Sequence, residues 1–368
     1  MWTLINIICQ NPNPFTFYNN DPKWNNGMKV SVIVPVYNVE SYIADCIQSV
    51  MRQTYQGPLE CILVDDCGAD GSMSIAEGLV AEYDGPIEFR VLHHEHNRGL
   101  SAARNTGMDA ASGDYVYFLD SDDWISNDCI EKLAEPLRQH NPDIVVGNYK
   151  MVGGAISNIE LSMAEGFYQE SPITHTFCNE GVYVMAWNKL YSKEFLVKNQ
   201  LLFEEGRIHE DEILAFELSC VEKTFYVVKS ETYFYRIREN SIITDKDLLK
   251  KLDGYIGILQ SVKGKVKRYD REQGIYDFYM FWIRRVFDWV SQIKLDEEML
   301  SRVQELTRGY LEPIPGIQCL RNKHDRLTYY ACKREQTYLR YQYVTQEYSN
   351  KLKGRVARNI LKMLPYKI

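Results

Sequence analysis

The chain lacks the features that would place it in a membrane, on DNA or in an oxidising compartment. In 368 residues no stretch approaches ~20 continuous apolar positions, the length a helix needs to cross a bilayer. A transmembrane helix is not expected. The nine cysteines are scattered, odd in number and without a C-x-x-C pair, which leaves out the usual zinc and redox frameworks and points to a reducing, cytoplasmic setting. A formal net charge of −8 argues against a nucleic-acid partner. The apolar start, Met1 to Cys9, has no basic flank and no small-residue cleavage site, so no secretory signal is expected. No G-x-G-x-x-G follows the first strand-like run, and no G-x-x-x-x-G-K-[ST] occurs. A nicotinamide fingerprint and a P-loop are therefore both missing.

What is present is an ordinary folded composition, 45% hydrophobic and 25% charged. Residues 10–27 are rich in Asn, Pro and aromatics and show no period. At Met28 the character changes. Lys29-Val-Ser-Val-Ile-Val-Pro35 is a β-branched run, short enough for a strand buried on both faces. Residues 1–27 are accordingly expected to be an N-terminal extension, either upstream of a natural start at Met28 or packed as an arm. Further strands are predicted at Leu59–Asp65, Ile87–His93, Asp114–Leu119 and Asp143–Gly147. Helices are predicted at Glu40–Gln53, Ser72–Tyr83, Leu100–Ala111 and Asn127–Gln139. This alternation calls for an α/β fold, a mainly parallel sheet with helices on both faces. Ligands of such sheets bind at the carboxyl ends of the strands.

Four successive strand ends carry polar groups. The first ends in Pro35-Val-Tyr-Asn38 with Glu40 following, and the second in Asp65-Asp66. The third leads to Asn97-Arg98-Gly99 and then Arg104; the fourth runs into Asp120-Ser-Asp122-Asp123. Two carboxylates at alternate positions repel one another and suit a hard cation such as Mg²⁺ or Mn²⁺ bridging to phosphates. The competing reading of Asp120 and Asp122 is a solvated acidic turn. Nucleotide recognition has to come from side chains such as Tyr37, Asn38 and Asp66, and a carboxylate can accept the imide N–H of uracil. His93, His94 and His96 invite a metal reading, but no partnering motif completes a closed site; loop residues are the expectation.

Together, residues 30–38, 64–66, 97–107 and 112–123 resemble glycosyltransferase family 2, in its bacterial surface-polysaccharide type. The resemblance implies an inverting sugar transferase with the GT-A fold, over residues 28–245. Residues 28–150 would be the nucleotide-binding half and 151–245 the acceptor half, followed by a helical region over 246–368. By resemblance, Pro35, Tyr37, Asn38, Glu40 and Asp66 line the nucleotide pocket, Asp120 lies near the ribose, and Asp122 binds the divalent metal on the diphosphate. Arg104 supports the nucleotide side or pairs with Asp66 or Asp120. Cys67 stands where the family commonly has Gly. The Glu-Asp pair that opens a helix in the family is matched by Glu210-Asp211, with Asp211 the base and Glu210 second. Its alternative is a plain acidic first turn stabilised by the helix dipole. One base suffices for inversion, since a metal-neutralised nucleotide diphosphate leaves readily. Trp187 is a candidate to stack on a sugar, and Asn188 and Lys189 to bind hydroxyls or phosphate, against the alternative of ordinary core. Arg238, with Ser241, is a candidate to close over the diphosphate, or faces solvent.

The partners that the resemblance implies are a nucleotide-sugar donor, a UDP-sugar, and a saccharide or lipid-linked acceptor. Two other classes compete: a phosphohydrolase with Asp120 as nucleophile and Asp122 as acid, and a non-catalytic sugar-nucleotide or carbohydrate binder. Residues 321–368 hold twelve Lys/Arg against three Asp/Glu, a net +9, leaving −17 for the rest. Within Lys351–Leu364, Leu352, Val356, Ile360 and Met363 form an apolar stripe beside Lys351, Arg355, Arg358 and Lys362. This pattern suits docking on an anionic membrane surface. Packing on the protein's own domain, or on a homodimer partner, is the alternative.

Overall fold

A computed structural model of the chain describes residues 27–153, 161–177, 181–238, 247–293, 295–306, 309–323, 325–326 and 329. The expected N-terminal extension (Gly27 apart), Ser241 and the amphipathic tail lie outside the described residues.

The first half alternates as its patterning dictates: β1 (Val30–Val36), α1 (Ile43–Met51), β2 (Leu59–Asp65), α2 (Ser72–Glu82), β3 (Glu88–His93), α3 (Leu100–Ala110) and β4 (Tyr115–Phe118). Strands β3, β2, β1 and β4 lie side by side and parallel. Every residue of β1 and β4 is buried, which is why both read as continuous apolar runs rather than alternating ones. Helix α3 lies close on β1: a Cβ on Gly107 would come within 2.3 Å of Ile33 Cγ2. Only glycine allows that approach.

Beyond β4 the topology departs from expectation. Short β5 (Trp124–Ile125) is followed by α4 (Cys129–Ala134) and α5 (Leu137–His140). The single helix predicted over 127–139 is broken where Pro136, which has no N–H to give, sits at the start of α5. Next come β6 (Ile144–Val152), β7 (Gly166–Glu170), β8 (Lys189–Ser192), α6 (Lys193–Asn199), α7 (Glu210–Ser219) and β9 (Lys223–Arg236). The expected fifth strand, β6, does not pair with β4. Antiparallel β8 inserts between them, giving the order β3-β2-β1-β4-β8-β6-β9-β5 with β7 on β9. The sheet remains of the expected α/β class, with its long ladders parallel and shorter antiparallel ladders added through β8, β7 and β5.

The rest is helical: α8 (Leu248–Lys265), a 3₁₀ turn at Val266–Tyr269, α9 (Ile275–Ser291) and α10 (Glu297–Leu306). Its apolar faces form a second core around Phe278, Tyr279 and Trp282. The two cores meet on α7. Leu214, Ala215 and Leu218 belong to the sheet's core, while Phe216 and Cys220, the residue after the helix, belong to the helical one. This ten-residue helix gathers three carboxylates in its first turn, Glu210-Asp211-Glu212, where they favour the positive end of the dipole, and beyond that turn it is apolar except for Glu217 and Ser219. No helix among the described residues is long and apolar enough to cross a membrane.

Candidate active site

The strand ends open onto a cleft of about 370 Å³ lined by Pro35, Tyr37, Asp66, Asn97, Gly99, Leu100, Ala103, Asp120, Ser121, Asp122, Tyr235 and Arg238, among others. Six of the expected residues thus share one cavity: Pro35, Tyr37, Asp66, Asp120, Asp122 and Arg238. Tyr37 stands out from its wall, 48% exposed.

Asn38 and Glu40 are not among the residues that line that cleft. The Asn38 Oδ1 accepts from the Ala69 N–H at 2.8 Å, and the Glu40 carboxylate from Gly71 N–H at 3.1 Å. Backbone donors in the loop after β2 have no ladder to join, and these side chains take them. Cys67 holds a left-handed φ of 57° in the same loop, the conformation that makes glycine common at such a place. Its thiol contacts the His94 carbonyl at 2.8 Å.

Asp66 is buried at the end of the cleft nearer β2. Its Oδ1 accepts from His94 Nδ1 (2.7 Å) and Arg98 N–H (2.8 Å), and its Oδ2 from Asn97 Nδ2 (2.9 Å) and Gly99 N–H (2.8 Å). Those four bonds use the four lone-pair directions of a carboxylate. Uracil recognition by this group would need one of them to give way; meanwhile Asp66 holds the 94–99 loop and the start of α3, where Gly99 has φ 89°. The three histidines do not converge. His94 is buried on Asp66 and Thr106, and His93 reaches Asp65 at 3.0 Å.

At the other end, Asp120 and Asp122 line the cleft from the loop after β4. Burial raises the Asp122 carboxyl above its usual range and the neighbouring Asp120 charge adds to this, while Arg238, whose Nε lies 2.5 Å away, works against both. Asp123 faces inward and ties the loop to β9, accepting from Tyr233 Oη at 2.6 Å and Arg236 N–H at 2.7 Å. Among the described residues no group of three or more His, Cys, Asp or Glu could hold a metal by itself. A Mg²⁺- or Mn²⁺-type ion carried on phosphates needs only one or two protein carboxylates. The Asp120–Asp122 pair, with a carboxyl whose charge calls for a cation, fits that kind of ion.

Arg104, on α3, is 1% exposed and does not line the cleft. Its Nη2 donates to Asp120 Oδ1 at 2.8 Å; its Nη1 donates to Glu210 Oε1 at 2.7 Å and Asp211 Oδ1 at 3.0 Å. Glu210 and Asp211 therefore stand across Arg104 from Asp120. Burial pushes the Asp211 carboxyl up to about 7; Arg104 opposes the rise, and Glu210 and Asp120 add to it. With 18% of its side chain exposed, Asp211 is a reachable carboxylate poised near neutrality, the condition a general base needs.

Residues 187–189 lie in the core, the alternative held open for them. Trp187 is 2% exposed and stacks on Tyr233 (4.4 Å) and Tyr235 (5.7 Å). Asn188 is fully buried, bonded to Tyr117, Thr232 and the Asn148 carbonyl. Lys189, also buried, donates to the Met185 carbonyl and lies 3.8 Å from the Tyr183 ring centre. Partners on β4, β6 and β9 hold these side chains inward: Tyr117, Asn148, Thr232 and Tyr233. Tyr235, on the same stretch as Arg238, backs onto Trp187 and lines the cleft.

The family model for Glycosyl transferase family 2 matches residues 31–198. The glycosyltransferase GlyG of Streptococcus pneumoniae is 30% identical over 232 residues, covering 60% of this chain and 74% of GlyG. The chain belongs to glycosyl transferase family 2. GlyA of the same organism is 36% identical over 226 residues, 58% of this chain but 31% of GlyA, so this family 2 chain spans about a third of that relative. Among solved structures, Staphylococcus aureus TarS 1–349 in complex with UDP-GlcNAc superposes with a TM-score of 0.71 at 21% identity, covering 88% of this chain and 92% of that one. That likeness extends the GT-A fold over the helices after β9, well past the family match.

Proposed function

We propose that the chain is an inverting glycosyltransferase moving a sugar from a nucleotide-diphosphate donor, a UDP-sugar, to a saccharide or lipid-linked saccharide in surface-polysaccharide synthesis. One observation carries the reading: buried Arg104 joins Asp120, on the wall of the cleft, to Asp211, a carboxylate raised to about 7. That arrangement supports a donor site with a base beside it. TarS, which shares the fold, binds UDP-GlcNAc, and that supports a UDP-sugar as donor here.

Pro35, Tyr37 and the Asp66-held loop receive the nucleoside, and Arg238 faces the diphosphate. Asp122 would hold Mn²⁺ or Mg²⁺, which when bound neutralises diphosphate charge. Asp211 takes the proton of the acceptor hydroxyl as that oxygen forms its bond to the anomeric carbon. The bond from that carbon to the diphosphate oxygen breaks on the opposite face, and its electron pair leaves with the nucleotide. A phosphohydrolase using Asp120 as nucleophile is disfavoured, since it gives no role to the Tyr37 and Asp66 strand ends that share the cleft. The basic, apolar-striped tail would dock the enzyme on the anionic inner face of the membrane, where a lipid-linked acceptor resides.

The test is a thermal-shift screen of nucleotide sugars with Mn²⁺, followed by product analysis. A ligand selective for the folded state raises its melting temperature. Stabilisation by a UDP-sugar and formation of a glycoside support the reading; release of phosphate alone, or no response to any nucleotide sugar, removes it.

A further inference from the structure

Helix α7 is gripped from both sides. Its first two residues are held by Arg104 of the sheet domain, and its next residue, Glu212, turns the other way. The Glu212 carboxylate accepts from Arg285 Nη2 of α9 at 3.0 and 3.3 Å, with the two side chains 10% and 13% exposed. Arg285 is fixed in turn over the Trp289 ring, 4.4 Å from its centre. Just before the helix, His209 adopts φ 66° and ψ 40°, a left-handed conformation that a residue bearing a side chain rarely takes. The helical region holds it there. His209 stacks on Tyr255 of α8 at 5.4 Å and 14°, against Gly254, where a Cβ would lie 2.9 Å from the His209 ring.

We propose that Arg285 and Glu212 form a positioning pair through which the C-terminal helices set the place and the charge environment of Asp211. Neither residue touches substrate. The pair lies beyond the reach of the family match, which ends at residue 198, apart from the known strand-end motifs. The proposal rests on Asp211 being the base.

The charges around the base define the test. Asp211 faces Arg104 from α3, Asp120 from the loop after β4, Lys189 and Tyr191 from β8, and Glu210 beside it. Glu212 feels Arg285 from α9, Tyr255 from α8 and Asp211 itself, with which it repels. Removing either member of the pair therefore unbalances charge next to the base, in opposite senses. Arg285→Met leaves the Glu212 charge uncompensated and disfavours ionised Asp211. Glu212→Gln leaves the Arg285 charge and favours it.

The experiment measures hydrolysis of a panel of UDP-sugars with Mn²⁺, water standing in for the acceptor, as a function of pH. Each single variant should lower kcat by roughly ten- to a hundredfold, the scale of a small misplacement of a catalytic group, with UDP affinity within about twofold of wild type. The acidic limb of the kcat profile should move to higher pH in Arg285→Met and to lower pH in Glu212→Gln, and return in the double variant, whose neutral pair leaves no buried charge unpaired. Limbs that stay put, or move the same way, overturn the proposal, as does a joint loss of kcat and UDP affinity. If a single variant fails to fold, Arg285→Lys and the double variant decide: a limb displaced in either overturns it. Carbon-13 NMR titration of the Asp211 carboxyl, assigned against Asp211→Asn, gives the same shifts without turnover. A failure of the pair is thus distinguishable from a failure of the sugar-transfer reading.

Discussion

Arg104 Nη1 lies 3.0 Å from Asp211 Oδ1 inside the protein, with its other terminal nitrogen on Asp120. One guanidinium thus serves three carboxylates, Glu210 being the third. A single positive charge cannot neutralise all three, so the group least able to stay ionised is the one that burial and like charges push upward. That is Asp211. The same contact orients it.

If Asp211 is the base, Asp211→Asn keeps its shape and loses its proton acceptor. Transfer should fall by roughly 10²–10⁴ while donor binding survives. Steady-state kinetics beside UDP titration calorimetry checks this, and near-normal turnover would move the role elsewhere.

The pH dependence follows in sign. The base works ionised, so kcat should climb as pH rises through about 7. Stability runs the other way. The folded carboxyl holds its proton more tightly than the unfolded one, whose pKa is ~3.9. Its contribution is therefore fully present below about pH 4 and lost as pH rises through about 7. Melting curves of wild type and Asp211→Asn across that window should converge toward low pH once the constant offset of the substitution is subtracted.

Asp122→Ala should abolish the enhancement of UDP binding by Mn²⁺, because Asp120 is held by buried Arg104 and Asp66 by the hydrogen bonds of its own loop. Binding measured with Mn²⁺ and with chelator separates the two states. Undiminished enhancement in a folded variant would take Asp122 out of metal binding.

Trp187→Ala should act on stability rather than on sugar affinity. Emptying a buried, doubly stacked indole site costs about 3–5 kcal/mol, read as a lower midpoint in urea. A variant of unchanged stability with weakened saccharide binding would restore the surface reading of Trp187.

Full-length protein should co-sediment with anionic vesicles at low salt, and protein truncated before Ser349 much less. Each basic residue near such a surface contributes about 1 kcal/mol, and the effect should fade at high salt. Equal sedimentation of the two forms would end the membrane role.

The sequence by itself determined the parallel half of the sheet and where its chemistry lies. Unbroken β-branched runs such as Val30–Val36 can only be doubly buried strands, and the polar residues directly after them must emerge at one sheet edge. Tyr37, Asp66, Asp120 and Asp122 were legible for that local reason. Only the tertiary structure decided what depends on partners distant in the chain. Lys189–Ser192 is a short run with no distinctive period, and its place between β4 and β6 follows from pairing with segments about 45 to 77 positions away. That pairing buried Trp187, Asn188 and Lys189. Asn38 and Glu40 were turned from the cleft by loop N–H groups some 31 residues away. Arg104 meets Asp211 across 107 residues, and Glu212 meets Arg285 across 73. Hydrogen bonds and ion pairs of that separation leave no periodic trace in a sequence, because each requires only two side chains and the fold that brings them together.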